Sequence, residues 1–246
     1  MVNHRMAFVF LAALGLFGFL NPASAAEKKV KVFILAGQSN MEGHGQVSSL
    51  PHLGNHPKYG HLLKKLKGPG GKWAVRDDVT ISYKAPQRKK RSGPLTVGWG
   101  GQKHELGPEL MFGTIMGDKY DSHVLLIKTA WGGKDVSCDF RSPSAGKPAG
   151  AEAKYFAHKR KEGDTRKVGE YYRKMVAEVK EALANIKDTD ENHLPTKELN
   201  DEFLRLGQHW FCHYNGSAAN YCLIGWGLAE SLIDSKLPKT TRLFRN

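Results

Sequence analysis

Residues 30–41 read Val-Lys-Val-Phe-Ile-Leu-Ala-Gly-Gln-Ser-Asn-Met. Val30 to Ala36 is a nearly continuous apolar run closed by Gly37. Such a run predicts a strand buried on both faces, as in the interior of a parallel sheet. Two further runs match it downstream. Asp78 to Tyr83 (DVTISY) is rich in β-branched residues and alternates roughly, and His123 to Ala130 (HVLLIKTA) ends at Trp131-Gly132-Gly133. Between them Gly107 to Met116 has apolar residues at helical spacing and opens on Gly-Pro. Val168 to Ile186 is the clearest helix, because Tyr172, Met175, Val176, Val179, Leu183 and Ile186 recur at steps of three and four. Tyr221 to Ile233 is a second amphipathic helix. Strands alternating with helices predict an α/β fold built on a parallel sheet.

The chain has 246 residues, the size of one ordinary domain. Charged residues at 25% and aromatics at 10% exclude wholesale disorder. The first residues read as a leader rather than as part of the fold. Arg5 precedes an apolar run from Ala7 to Leu20, and Asn21-Pro22 and the small residues Ala23-Ser24-Ala25 follow. That pattern predicts a signal peptide over 1–25, cleaved after Ala25. The run is shorter than the roughly 20 apolar residues that a spanning helix needs, so no membrane association is expected after cleavage. The expected location is secreted or periplasmic, with a single domain over 26–246. Export permits disulfides, but Cys138, Cys212 and Cys222 are an odd number and too few for a disulfide scaffold. One pair with a free thiol and three buried thiols are both allowed, and buried thiols are the reading favoured here.

The formal net charge is +13. It would attract an anionic polysaccharide, although the reading favoured here is that it aids solubility. No nucleic-acid recognition motif accompanies it. Lys84 to Ser92, with the cluster Arg88 to Arg91, and Lys187 to Asp201 read as solvated surface loops.

The chemistry-bearing residue is Ser39. It follows the first strand, at the end of the sheet where α/β folds bind ligands. Gly37 permits a tight turn there, and the backbone N–H groups beyond it can point at a developing oxyanion. Capping the next helix is the alternative role for a serine at this place. His209-x-x-x-His213, with Cys212 and His44, has the spacing of a metal pair, but the segment QHWFCHYNG has loop or strand features and lacks a compelling third ligand. No metal and no cofactor are expected. Trp131-Gly132-Gly133-Lys134-Asp135 lacks the spacing of a phosphate loop. Glu109 and Asp135 lie near these loops and read by default as surface acids.

VFILAGQSNMEGHG resembles the opening block of the SGNH-type carbohydrate acetylesterases, in the sialate O-acetylesterase and acetylxylan esterase group. GPLTVGWG, LGPELMFG, VLLIKTAWGGKDV, DFRSPSAG, YYRKMVAEVKEALANI and HYNGSAANYCLIGWGLAESL follow in the order of family blocks. The resemblance covers roughly 30–186 and 209–232. It implies a three-layer α/β/α, flavodoxin-like (SGNH hydrolase) fold and removal of O-acetyl groups from carbohydrate. It assigns Ser39 as nucleophile and, through its own N–H, as an oxyanion donor. Gly107 is the implied second oxyanion donor, and His213 the implied general base. Gln38, Asn40, Trp131, Gly132 and Gly133 are implied to line the substrate site. The implied partner is an O-acetylated glycan.

The sequence also departs from that pattern. The Gln-Gly-x-x-Asp block that family members carry after the long helix, and the strand beyond it, have no counterpart. Residues 187–208 form only a shortened polar linker, and Trp210 stands where an Asp is expected three residues before the base. The parallel sheet is therefore expected to lack two strands, leaving Val124 to Thr129 as an apolar edge open to pairing. Two functional classes follow: an exported serine esterase, or an impaired relic of the fold that binds carbohydrate. Spacing alone does not choose between His209 and His213 as the base.

Overall fold

A computed structural model of the chain describes residues 30–86, 89–160, 167–184 and 217–234. The leader, the linker 187–208, His209, Cys212 and His213 lie outside the described residues. The apolar run that begins at Val30 forms β1 (Lys31–Gly37) and passes directly into a single turn of helix, α1 (Ser39–Glu42). A short antiparallel ribbon of β2 (Gly45–Gln46) and β5 (Glu105–Leu106) follows it in space. The sequence between β2 and the next long strand coils in 3-10 turns that bury Leu50, Leu53, Leu62 and Leu66.

The main sheet contains β1, β3 (Arg76–Tyr83), β4 (Arg91–Leu95) and β6 (Val124–Ala130) in the order β1-β6-β3-β4. β6 pairs parallel with both β1 and β3, whereas β4 runs antiparallel to β3. The β1–β6 register sets Gly37 opposite Ala130. The turn bearing Ser39 and the loop that starts at Trp131 therefore leave the same end of the sheet side by side.

Helices lie on both faces, so the fold is α/β. On one face α4 (Glu170–Ala184) packs Val179 and Ala182 against Leu125 and Ile127 of β6. On the other, α2 (Glu109–Lys119) and α5 (Ala218–Asp234) cover the larger core. Phe33 of β1 meets Phe112 of α2 edge to face at 5.4 Å between ring centroids. α2 is buried from Glu109 to Gly117 because α5 lies across it, and Gly225 of α5 comes against Pro108 and Phe112. α3 (Gly150–Lys159) lies between β6 and α4 in the chain. Among the described residues no helix is long and apolar enough to cross a membrane. Cys138 and Cys222 are buried free thiols, as expected of small apolar side chains.

Three expectations are corrected. The sheet has a fourth, antiparallel strand, and its first residue, Arg91, falls in the stretch read as a solvated loop. Arg91 is buried because its guanidinium lies 4.7 Å over the Trp99 ring and donates to the Gly98 carbonyl at 3.2 Å. β6 is not an edge: β1 and β3 flank it, and among the described residues β1 is the outer strand. Nor is β1 buried on both faces. Val32 and Ile34 share the face of Leu125 and Ile127 by register, yet they stay 40% and 39% exposed while α4 packs on β6.

Candidate active site

Ser39 is the first residue of α1, half-buried, and the turn around it is closed by backbone bonds. Met41 and Glu42 N–H groups donate to the Gln38 carbonyl at 2.8 and 2.9 Å, and Gly43 N–H donates to the Ser39 carbonyl at 3.1 Å. Gly43 leaves the turn at φ 81°, a conformation that favours glycine. A methyl group there would come within 2.5 Å of the Gly107 nitrogen. The Ser39 turn thus presses directly on Gly107, which the sequence places far downstream.

The loop after β6 closes the site from the other side. Trp131 N–H donates to the Gly37 carbonyl at 3.2 Å, and Gly132 N–H donates a short bond to Glu42 Oε1. A methyl group built on Gly132 would lie 3.7 Å from Ser39 Cβ and 3.3 Å from Glu42 Oε1. Ser39, Glu42 and Gly132 therefore meet at one point. Of the expected site residues, the structure gathers Ser39, Gly107 and Gly132.

The others point elsewhere or lie outside the described residues. Gln38 and Asn40 line an apolar cavity of about 240 Å³ with Met41, Pro108, Ile224 and Leu228. Asn40 Oδ1 also accepts from the Tyr221 hydroxyl at 3.4 Å, which ties the turn to α5. The Trp131 ring clusters with Phe140 and Tyr171 at centroid distances of 6.0 and 5.4 Å. Gly133 serves the loop by adopting φ 69°. His213 lies outside the described residues.

Carboxylates already occupy two amides at this site. Gly107 N–H, the implied oxyanion donor, donates to Glu109 Oε1 at 2.7 Å, and Gly132 N–H is held by Glu42. Glu109 is fully buried rather than a surface acid, with its second oxygen 2.7 Å from the ammonium of Lys128, also fully buried. Glu42 in turn faces His44, whose Nε2 is 3.6 Å from Glu42 Oε2 while its Nδ1 donates to Glu105 Oε2 at 3.2 Å. Burial alone would lower the His44 pKa, but the bonds to Glu105 and Glu42 and their charges outweigh it and raise it to about 9. His44 is therefore an imidazolium at neutral pH, bridging two carboxylates. Asp135 is a turn residue: its carboxylate accepts from Cys138 N–H at 2.7 Å and from the Ser137 hydroxyl at 2.9 Å. Among the described residues no group of three His, Cys, Asp or Glu side chains is placed to hold a metal.

Sequence reasoning missed Glu42, Glu105 and Lys128, and misread Glu109. Only Lys128 left a legible signal. A lysine inside the run VLLIKTA is a charge that the burial of its neighbours draws into the core, and buried lysines are almost never unpaired.

Comparison with known proteins adds the family. The model of a family described as carbohydrate esterase, sialic acid-specific acetylesterase, matches residues 29–190. No curated protein matches the chain. Among solved structures, a protein from Arabidopsis thaliana, determined by X-ray crystallography, is similar at 16% identity and a TM-score of 0.30. The match covers 65% of this chain and 53% of the Arabidopsis one, so the chain spans about half of that protein's length.

Proposed function

The chain belongs to the carbohydrate esterase family of sialic acid-specific acetylesterases, and from that premise we propose that it is an exported serine esterase that removes O-acetyl groups from carbohydrate. The observation that carries the reading is the place of Ser39: on the tight turn that leaves β1, at the end of the parallel strands, beside Gly132, with Gly43 at the end of the same turn set on Gly107. In this mechanism Ser39 Oγ attacks the acetyl carbonyl while its proton passes to His213. The tetrahedral oxyanion is held by the Ser39 N–H. Collapse breaks the ester bond, the sugar oxygen leaves with the proton from His213, and water then releases acetate from the acyl-serine. His213 holds its role on the resemblance of His-Tyr-Asn-Gly-Ser to the family's last block. Gly107 joins the oxyanion hole only by exchanging its bond to Glu109 for one to substrate. The substrate is an O-acetylated glycan, and neither metal nor cofactor takes part.

The bond from Gly107 N–H to Glu109 favours a second reading, an impaired relic that binds carbohydrate. Losing one oxyanion donor costs about 2.7–4 kcal/mol of barrier, or roughly 10²–10³ in rate. Acetate release from acetylated xylan, O-acetylated sialic acid and an aryl acetate separates the two, with Ser39→Ala beside the wild-type protein. Turnover that disappears in the variant is the expected result. Equal background rates from two samples that both melt cooperatively would refute the esterase and leave the relic.

A further inference from the structure

Each position of β6 is buried, and Lys128 stands within it with its ammonium fully enclosed. Nζ donates to the Glu42 carbonyl at 2.8 Å, the Trp99 carbonyl at 2.8 Å and Glu109 Oε2 at 2.7 Å. The Tyr83 ring lies below it, 4.5 Å from Nζ to the centroid. An ammonium has three N–H donors and a neutral amine two, so three acceptors are satisfied only by the charged form. Each acceptor belongs to a different piece of the site. Glu42 ends the turn that begins with Ser39, Trp99 lies on the loop after β4, and Glu109 opens α2 and holds Gly107 N–H with its other oxygen.

We infer that Lys128 is a positioning residue for the nucleophile: the buried Lys128–Glu109 pair anchors the Glu42 carbonyl and thereby sets where the Ser39 turn stands against Gly107. Buried ion pairs are commonly no more stabilising than apolar side chains of the same volume. What this pair supplies is geometry, because the end of the Ser39 turn, the loop after β4 and the start of α2 are referred to one point on the sheet. The consequence for turnover rests on the esterase reading; the anchoring itself does not.

The experiment compares wild-type protein, Ser39→Ala and the double variant Lys128→Met/Glu109→Gln. The double variant removes both charges, retains side-chain volume and leaves an acceptor for Gly107 N–H. Aryl acetate kinetics, thermal melting and site-resolved amide hydrogen exchange are measured on each. The expected result is a folded double variant whose kcat falls at least tenfold with KM within twofold of wild type, and whose Met41, Glu42 and Gly43 amides exchange at least tenfold faster. A folded double variant with kcat within twofold of wild type, or with unchanged exchange at those three amides, would overturn the inference.

If the double variant does not fold, the wild-type protein decides. Anchoring requires the amides of Met41 to Gly43 to exchange only through the global opening that also releases core amides such as Leu126. Their exchange through a faster local opening overturns it. Wild-type protein without Ser39-dependent turnover would refute the esterase reading, and exchange would then decide the anchoring by itself.

Discussion

Gly225→Ala tests the packing that holds α2, and with it Gly107 and Glu109, in place. A methyl group at Gly225 would lie 3.0 Å from the Phe112 nitrogen and closer still to the Pro108 carbonyl oxygen. Both obstacles are backbone atoms at the start of α2, so no rotamer change relieves the overlap and the two helices must separate. Overpacking of this kind costs about 1–3 kcal/mol, and its upper half applies where backbone must move. Alanine returns about 1 kcal/mol of helix propensity over glycine. The net destabilisation is then about 1–2 kcal/mol. At about 2–4 °C per kcal/mol for a protein of this size, Tm falls by about 2–8 °C. Gly227→Ala is the control, two residues along the same helix, where no described atom lies within 4 Å of the added carbon. It gains the propensity without the overlap, so its Tm rises by about 2–4 °C. Thermal unfolding followed by circular dichroism on wild type and both variants reads the difference. A Gly225→Ala protein that melts at or above wild type would refute the close contact between α2 and α5.

Gly43→Ala combines an unfavourable φ of 81° with overlap on the Gly107 backbone. It is expected to cost about 3 kcal/mol or more and to abolish Ser39-dependent acetate release, read by melting and by the esterase assay. His44 has a folded pKa of about 9 against an ordinary 6.5. The stability it contributes is full below 6.5 and is lost as pH rises through 9, so the wild-type Tm should drop across that window and the drop should be shallower in His44→Gln. Burial, with Glu181 nearby, raises the Glu178 carboxyl on α4 from 4.5 to about 7 against the pull of Lys84, Lys90 and Lys174. Ionising a group whose folded pKa is raised weakens the fold, so Glu178→Gln should stabilise the protein at pH 8 and leave it little changed at pH 4; equal shifts at both would contradict the burial. Replacing Lys65, whose ammonium pairs with Asp118 at 2.7 Å on the surface, should change stability by about 1 kcal/mol or less in a denaturant titration.

Much of the fold was legible because local pattern dictates local structure. Apolar runs became β1 and β6, the β-branched, roughly alternating stretch 78–83 became part of β3, and the three-to-four periodicity of 168–186 became α4 over Glu170–Ala184. Arg91 was illegible. A guanidinium in a basic cluster reads as solvated until Trp99, eight positions on, is seen beneath it. The exposure of Val32 and Ile34 was equally hidden, since an apolar run reports that a strand prefers burial but not whether a helix covers that face. Glu109 looked like an ordinary surface acid because its partner Lys128 is remote in sequence.

The candidate site divides the same way. Gly37 through Met41, read alone, located a serine on a turn after a strand, and that identity is a property of neighbouring residues. Which groups stand around Ser39 is a matter of register and packing. Pairing Gly37 with Ala130 brought Gly132 to Glu42, and the positive φ of Gly43 brought the turn onto Gly107. Short-range sterics and hydrophobic periodicity are written residue by residue, so the sequence by itself determined β1, β3, β6, the long helices α2, α4 and α5, and a serine on the turn after the first strand. Hydrogen bonds between groups dozens of positions apart are decided only when the sheet aligns, and so the tertiary structure alone gave Glu42 the Gly132 amide beside Ser39, and Lys128 its place against the Glu42 and Trp99 carbonyls.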